Sequence, residues 1–229
     1  MIYYYKTEAT VKQLSVNSMP LYQYSNKSVE RTFCFVHIPK AGGAAINSYL
    51  RNAGLTAFFD HSHYKPVEKY LGVIPSHYDY ETLERLYRLD LMYSFAVVRN
   101  PLHKLISEYK FHVQSFNLPP EIQRLNFKEF LKFAVSKLDG NPNFWKGHFR
   151  PQHHFVGPKV KRIFHYEDGL NNIVKAVLED NGLRLSGDVQ VPVINKTQSQ
   201  AVLVDSEVLE FISNVFGEDF ERFGYRIEE

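Results

Sequence analysis

The chain has a single cysteine, Cys34, among its 229 residues. One thiol makes no intrachain disulfide, so no disulfide framework supports the fold and nothing points to an oxidising compartment. Cys34 lies inside an apolar run and reads as a small buried hydrophobe. Long hydrophobic runs are missing too: no stretch approaches the roughly 20 apolar residues of a membrane-spanning helix. The opening MIYYYKTEATVKQL has neither the basic start nor the apolar centre of a secretion signal. The expectation is a cytoplasmic protein, with a lumenal domain trimmed of its leader as the alternative. A charge surplus is also lacking. A formal net charge of +2 gives no footprint for nucleic acid, so an anionic ligand would have to be held by local charge.

What is present is enough apolar residue, 44%, to fill a sizeable core in one domain spanning 1–229. Residues 1–30 are polar and Tyr-rich and read as a peripheral N-terminal arm or a peripheral strand. Short apolar runs rich in β-formers predict strands over 31–38, 92–98 and 161–166. Helical spacing predicts helices over 44–52, 81–89, 101–116, 127–138, 170–181 and 206–216, with 220–225 packing the end. Gly54 is placed to cap the first helix and Pro101 to open the third. Residues 57–76, 141–158 and 189–200 read as loops. Strands alternating with helices predict an α/β fold, a P-loop-like central parallel sheet flanked by helices on both faces. Ligands of such sheets bind beyond the carboxyl ends of the strands.

Two segments fall at those ends. The first is Pro39-Lys40-Ala41-Gly42-Gly43-Ala44-Ala45, a strand turning through glycines into a helix. Such a turn aims free backbone N–H groups and the positive end of the helix dipole at one point, which suits an anion. Gly42 and Gly43 let the backbone approach it, and Lys40 adds a mobile point charge. The lysine precedes the glycines, so this is not the Walker loop of an ATPase. The second segment begins at Arg99, where a strand closes, and reaches Ser107 about two turns into the next helix. An arginine fork beside a hydroxyl suits a phosphate monoester. Each junction alone could be an ordinary strand-to-helix turn. Two in one sheet suggest one ligand carrying two separated phosphate groups.

These residues resemble the PAPS-dependent sulfotransferases, PAPS being 3′-phosphoadenosine-5′-phosphosulfate. They look most like the carbohydrate branch that includes the heparan and dermatan 2-O-sulfotransferases. The first segment is similar to that family's P-K-[TS]-G-G-[TS]-[TS] loop for the 5′-phosphosulfate. The run Arg99-Asn100-Pro101-Leu102-His103-Lys104-Leu105-Ile106-Ser107-Glu108-Tyr109 is similar to its R-[DN]-P-x-x-[RK]-x-x-S-x-Y motif for the 3′-phosphate. Asp219-Phe220-Glu221-Arg222-Phe223-Gly224-Tyr225 resembles its closing D-[FY]-x-x-F-G-Y. The departure is in the loop, where Ala41, Ala44 and Ala45 replace hydroxyl residues.

The resemblance implies transfer of the sulfuryl group from PAPS to an acceptor hydroxyl, leaving PAP. The acceptor would be a glycan or a hydroxylated metabolite, and no metal is expected. Lys40 would stabilise charge on the leaving phosphate. His77, in Ser76-His77-Tyr78-Asp79-Tyr80, resembles the base histidine of the 2-O-sulfotransferases, with His61 and His63 as runners-up. The His61/His63 pair also raises a metal site, but no acidic or cysteine partner follows at zinc spacing. Trp145, His148 and Gln152 fall in the stretch that faces the acceptor in the family, and Lys196 in a loop that closes over the donor. Two alternatives stand beside this reading. A kinase-like transferase would need a lysine after the glycines and acidic magnesium ligands, which are not found. A non-catalytic binder of the same fold would suit the loop alanines. The sequence sets neither the acceptor's identity nor the oligomeric state.

Overall fold

A computed structural model describes residues 21–25, 30–58, 72–114, 118–184, 188–194 and 201–227. Among these, five strands form one sheet in the order β3-β1-β2-β4-β5. The strands are β1 (Leu21–Ser25), β2 (Glu30–Val36), β3 (Thr56–Phe58), β4 (Tyr93–Val98) and β5 (Arg162–His165). β2, β4 and β5 run parallel, as the alternation with helices predicts. These three make the expected central parallel sheet, and two further strands extend it at the other edge. β1 pairs antiparallel with both β2 and β3, so the sheet is mixed. β1 comes from the segment read as an arm or a peripheral strand, and β3 from the start of a stretch read as loop.

β4 is buried along almost its whole length and flanked by strands on both sides, which explains its unbroken apolar sequence. The helices flanking the sheet are α1 (Gly43–Asn52), α2 (Tyr80–Leu86), α3 (Pro101–Val113), α4 (Phe127–Ser136), α5 (Leu170–Asp180) and α6 (Ser206–Phe223). Gly54 stops α1 with φ +87, donating to the Arg51 carbonyl while Leu55 reaches the Leu50 carbonyl. That is the Schellman arrangement, and it needs a residue at ease in the left-handed region. α6 runs past the predicted end at 216: Ile212, Phe216, Phe220 and Phe223 keep one buried stripe through the irregular turn at Phe216. No described helix is long and apolar enough to cross a membrane.

Two apolar clusters result. One joins the sheet to α1 and α5, through Ile46, Leu50, Ile173 and Val177. The other packs α3, α4 and α6 against each other, through Leu105, Phe130, Leu131 and Ile212. β2 and β4 are neighbours in register, Val36 opposite Ala96, so their carboxyl ends lie side by side. That pairing brings the two strand-to-helix junctions together.

Candidate active site

A cleft of about 710 Å³ opens at those strand ends. Pro39, Lys40, Gly42, Gly43, Ala44 and Ala45 line it from one junction, Arg99 and Ser107 from the other, and His77 and His148 from the inner wall. The predicted residues that do not line it are Ala41, Trp145 and Gln152. Ala41 is buried in the core and its N–H is spent on the Ile38 carbonyl, so no ligand-facing hydroxyl is lost there. Trp145 packs in an aromatic cluster with His112, Phe130 and Phe144. His61, His63 and Lys196 lie outside the described residues.

The loop is built for close approach. Gly42 takes φ +83, and a Cβ there would sit 2.8 Å from Leu170. No side chain caps α1. The first-turn amides of Gly43 and Ala44 have no intrahelical carbonyl to bond and lie at the cleft wall, an anion-binding arrangement. Lys40 is itself left-handed at φ +64, a strained setting for a lysine. Its ammonium lies 4.0 Å from the Phe111 ring centre. Burial lowers its pKa from the ordinary lysine value; Glu108 opposes that shift, and Arg99 and Lys104 add to it.

Arg99 ties the two junctions together. Its Nη1 donates to the Lys40 carbonyl at 3.1 Å, and its guanidinium lies 4.4 Å from the Tyr166 ring centre. Its backbone is gripped by Gln152, which accepts from the Arg99 N–H at 2.9 Å and donates to the Arg99 carbonyl at 2.7 Å. Gln152 N–H in turn donates to Asp219 at 2.7 Å. The closing segment of the chain therefore positions Arg99 from behind. Asn100 caps α3, accepting from the amides of Leu102 and His103. Glu167 accepts from the Asn100 N–H and the Tyr225 hydroxyl, a structural role.

The inner wall carries residues that sequence reasoning did not single out. His37 and His77 meet edge to face at 5.1 Å, and His77 and His148 at 5.0 Å. His77 Nδ1 donates to the Lys146 carbonyl at 3.0 Å. That carbonyl is presented by a backbone with Trp145, Lys146 and Gly147 all at positive φ. His148 Nδ1 lies 2.8 Å from Glu108 Oε2, and His112 Nδ1 lies 2.9 Å from the Glu108 carbonyl. Lys104 Nζ completes the group, 3.7 Å from Glu108 Oε1. Lys104, Glu108 and His112 are spaced i, i+4, i+8, one above another on α3. Burial drives the His37 and His112 pKa values down to about 4, and that of His77 well below the ordinary range. Burial alone would raise Glu108, but His148, Lys104 and His112 outweigh it and hold its carboxyl down at about 2.

Glu108, His112 and His148 have the composition of a metal-binding trio, their ligating atoms within 4.8 Å of one another. In this arrangement Glu108 Oε2 faces His148 Nδ1 at 2.8 Å and Glu108 Oε1 lies 3.7 Å from Lys104 Nζ.

No curated protein matches the chain. A crystal structure of a sulfotransferase from Alicyclobacillus acidocaldarius is similar to it, with 15% identity, a TM-score of 0.49, and coverage of 83% of this chain and 92% of that one. Residues 28–226, which hold the glycine loop, the Arg99 junction and the Asp219 segment alike, match the model of the sulfotransferase family, and to that family the chain belongs.

Proposed function

We propose that this protein transfers the sulfuryl group of PAPS to a hydroxyl of a carbohydrate acceptor, by direct in-line displacement with a histidine as base. The supporting observation is the convergence of two anion-binding junctions on one cleft. The amides of Gly43 and Ala44, with Lys40, suit the 5′-phosphosulfate, and Arg99 with Ser107 suits the 3′-phosphate. A ligand with phosphate at both ends of one nucleoside fits this pair better than a nucleoside triphosphate does. In the reaction, Lys40 would neutralise charge developing on the bridging oxygen of the leaving phosphate. Sulfuryl transfer depends on alignment and charge stabilisation more than on covalent catalysis. The imidazole-rich inner wall supplies proton acceptors near the position an acceptor hydroxyl would take. The carbohydrate assignment rests on the resemblance to that branch and on the polar wall of Asn47, Ser76, Asn171 and Asn172.

Calorimetry with PAP, and separately with ATP and magnesium, tests the donor. Binding of PAP alone supports the proposal; binding of ATP with magnesium and not PAP overturns it. A non-catalytic binder is the second reading, favoured by Ala44 and Ala45, which bring no hydroxyl to the phosphate. Lys40→Ala separates the two: an enzyme loses transfer from labelled PAPS, whereas a binder has none to lose.

A further inference from the structure

Several imidazoles crowd the inner wall of the cleft, and their hydrogen bonds differ in kind. His77 and His112 each give their Nδ1 proton to a backbone carbonyl, of Lys146 and Glu108 respectively. A carbonyl orients a ring but does little to stabilise it once charged. His37 is stacked on Phe35, ring centres 5.6 Å apart. His148 instead gives its Nδ1 proton to a carboxylate, Glu108 Oε2, at 2.8 Å. This bond fixes the tautomer, leaving Nε2 as the ring's proton acceptor, and it stabilises the imidazolium that forms when Nε2 takes a proton.

Glu108 is itself fully buried and cannot swing away to solvent. Lys104 engages the other carboxylate oxygen, Oε1, at 3.7 Å and donates to the His148 carbonyl at 2.7 Å. Phe111 stacks on the His148 ring at 5.8 Å and also carries the Lys40 ammonium, so one aromatic ring spaces the imidazole from the loop lysine. Among the described residues, the charged or titratable groups around His148 are therefore Glu108, Lys104 and His112 from α3, Lys40 and His37 from the loop side, and His77 from the turn before α2. Glu108 is the one anion among them.

We infer that His148, oriented by Glu108, is the base of the transfer, and that His77 is a positioning residue for the wall rather than the base. The inference rests on the sulfuryl-transfer reading. In the step, the acceptor O–H proton passes to His148 Nε2 while the acceptor oxygen bonds to sulfur. The bond from sulfur to the 5′-phosphate oxygen breaks, and PAP leaves with the electron pair. Burial supports the choice by disfavouring the imidazolium that His37, His77 or His112 would become on taking a proton.

The test is made on the full chain with PAP bound. Nitrogen-15 imidazole NMR, with His148 assigned by its loss in His148→Gln, reads the tautomer at pH 7. A proton on Nδ1 and a bare Nε2 are expected. A second readout is transfer from labelled PAPS to water, the acceptor always present. His148→Gln should bind PAP as wild type does yet transfer roughly a hundredfold or more slower, the scale of a lost general base. Added imidazole should restore part of the rate to His148→Ala, which a purely structural histidine would not permit. Glu108→Gln should shift the acid limb of the pH–rate profile downward; if it unfolds, the tautomer and the rescue still decide. The inference is overturned by a proton on Nε2 or by His148→Gln retaining transfer within about tenfold of wild type. It is equally overturned by a zinc ion that wild type binds and Glu108→Gln does not. If wild type does not bind PAP, the donor reading fails first and takes the inference with it.

Discussion

Replacing Gly43 with alanine sets two effects against each other. Gly43 opens α1, and its φ is not in the left-handed region. On helix propensity alone, alanine there would stabilise by about 1 kcal/mol. A Cβ at this position, however, would overlap the His37 ring. Normal carbon contact is about 3.5–4.0 Å, so the ring or the helix must move. The ring has little room, being stacked on Phe35 and set edge-on against His77. Overpacking of this kind costs about 1–3 kcal/mol, which exceeds the propensity gain at most of its range. The expected net loss is about 0–2 kcal/mol. The movement also displaces the first-turn amides at the cleft wall, so PAP affinity should fall about tenfold or more, an energy near 1.4 kcal/mol. Gly54→Ala is the control. It has φ +87 and nothing within 4 Å of the added Cβ, so it should lose about 1 kcal/mol from backbone strain and leave PAP affinity unchanged. Urea unfolding gives the stabilities and calorimetry the affinities. A Gly43→Ala protein more stable than wild type, binding PAP equally well, refutes the reasoning.

Three further outcomes follow from the same geometry. Arg99→Lys loses the guanidinium fork, its bond to the Lys40 carbonyl and its place against Tyr166; PAP affinity measured by calorimetry should drop roughly ten- to a hundredfold. Ala44→Ser returns a hydroxyl to the loop wall, and PAP should bind about two- to tenfold tighter, while Ala41→Ser, buried in the core, should only destabilise. Acid should weaken the fold before carboxylates titrate. Unfolded His112 binds a proton below about pH 6.5, but the folded residue resists until about 4. Stability is therefore complete above the upper value and declines as pH falls through the window, by roughly 2–3 kcal/mol for this group at the low end. Urea midpoints taken from pH 7 to 4 check this, and His112→Phe should flatten the decline.

Much of this was legible because local sequence and tertiary role agree. The run over 92–98 is apolar at nearly every position, as a strand buried on both faces must be, and β4 follows it closely. Asn100-Pro101 carries a side-chain cap and a first-turn proline, so α3 begins where it was expected. β1 was less legible: Leu21–Ser25 is half polar, and its strand state depends on pairing with β2 and β3 rather than on its own pattern. The inner wall was hidden for another reason. Lys104, Glu108 and His112 look like the solvated side of an amphipathic helix, and only their mutual pairing makes burial tolerable. Trp145 was placed near the acceptor by the family resemblance; three consecutive left-handed residues turn that segment so that Trp145 packs against the second apolar cluster and the Lys146 carbonyl reaches His77.

One ligand is expected to span both junctions. Calorimetry comparing PAP with adenosine 5′-phosphate, which lacks the 3′-phosphate, in wild type and in Ser107→Ala, measures this directly. PAP should bind wild type at least tenfold tighter, as expected for one or two charge-assisted hydrogen bonds to the second phosphate, and Ser107→Ala should narrow the gap. Equal affinity of the two nucleotides for wild type would contradict it.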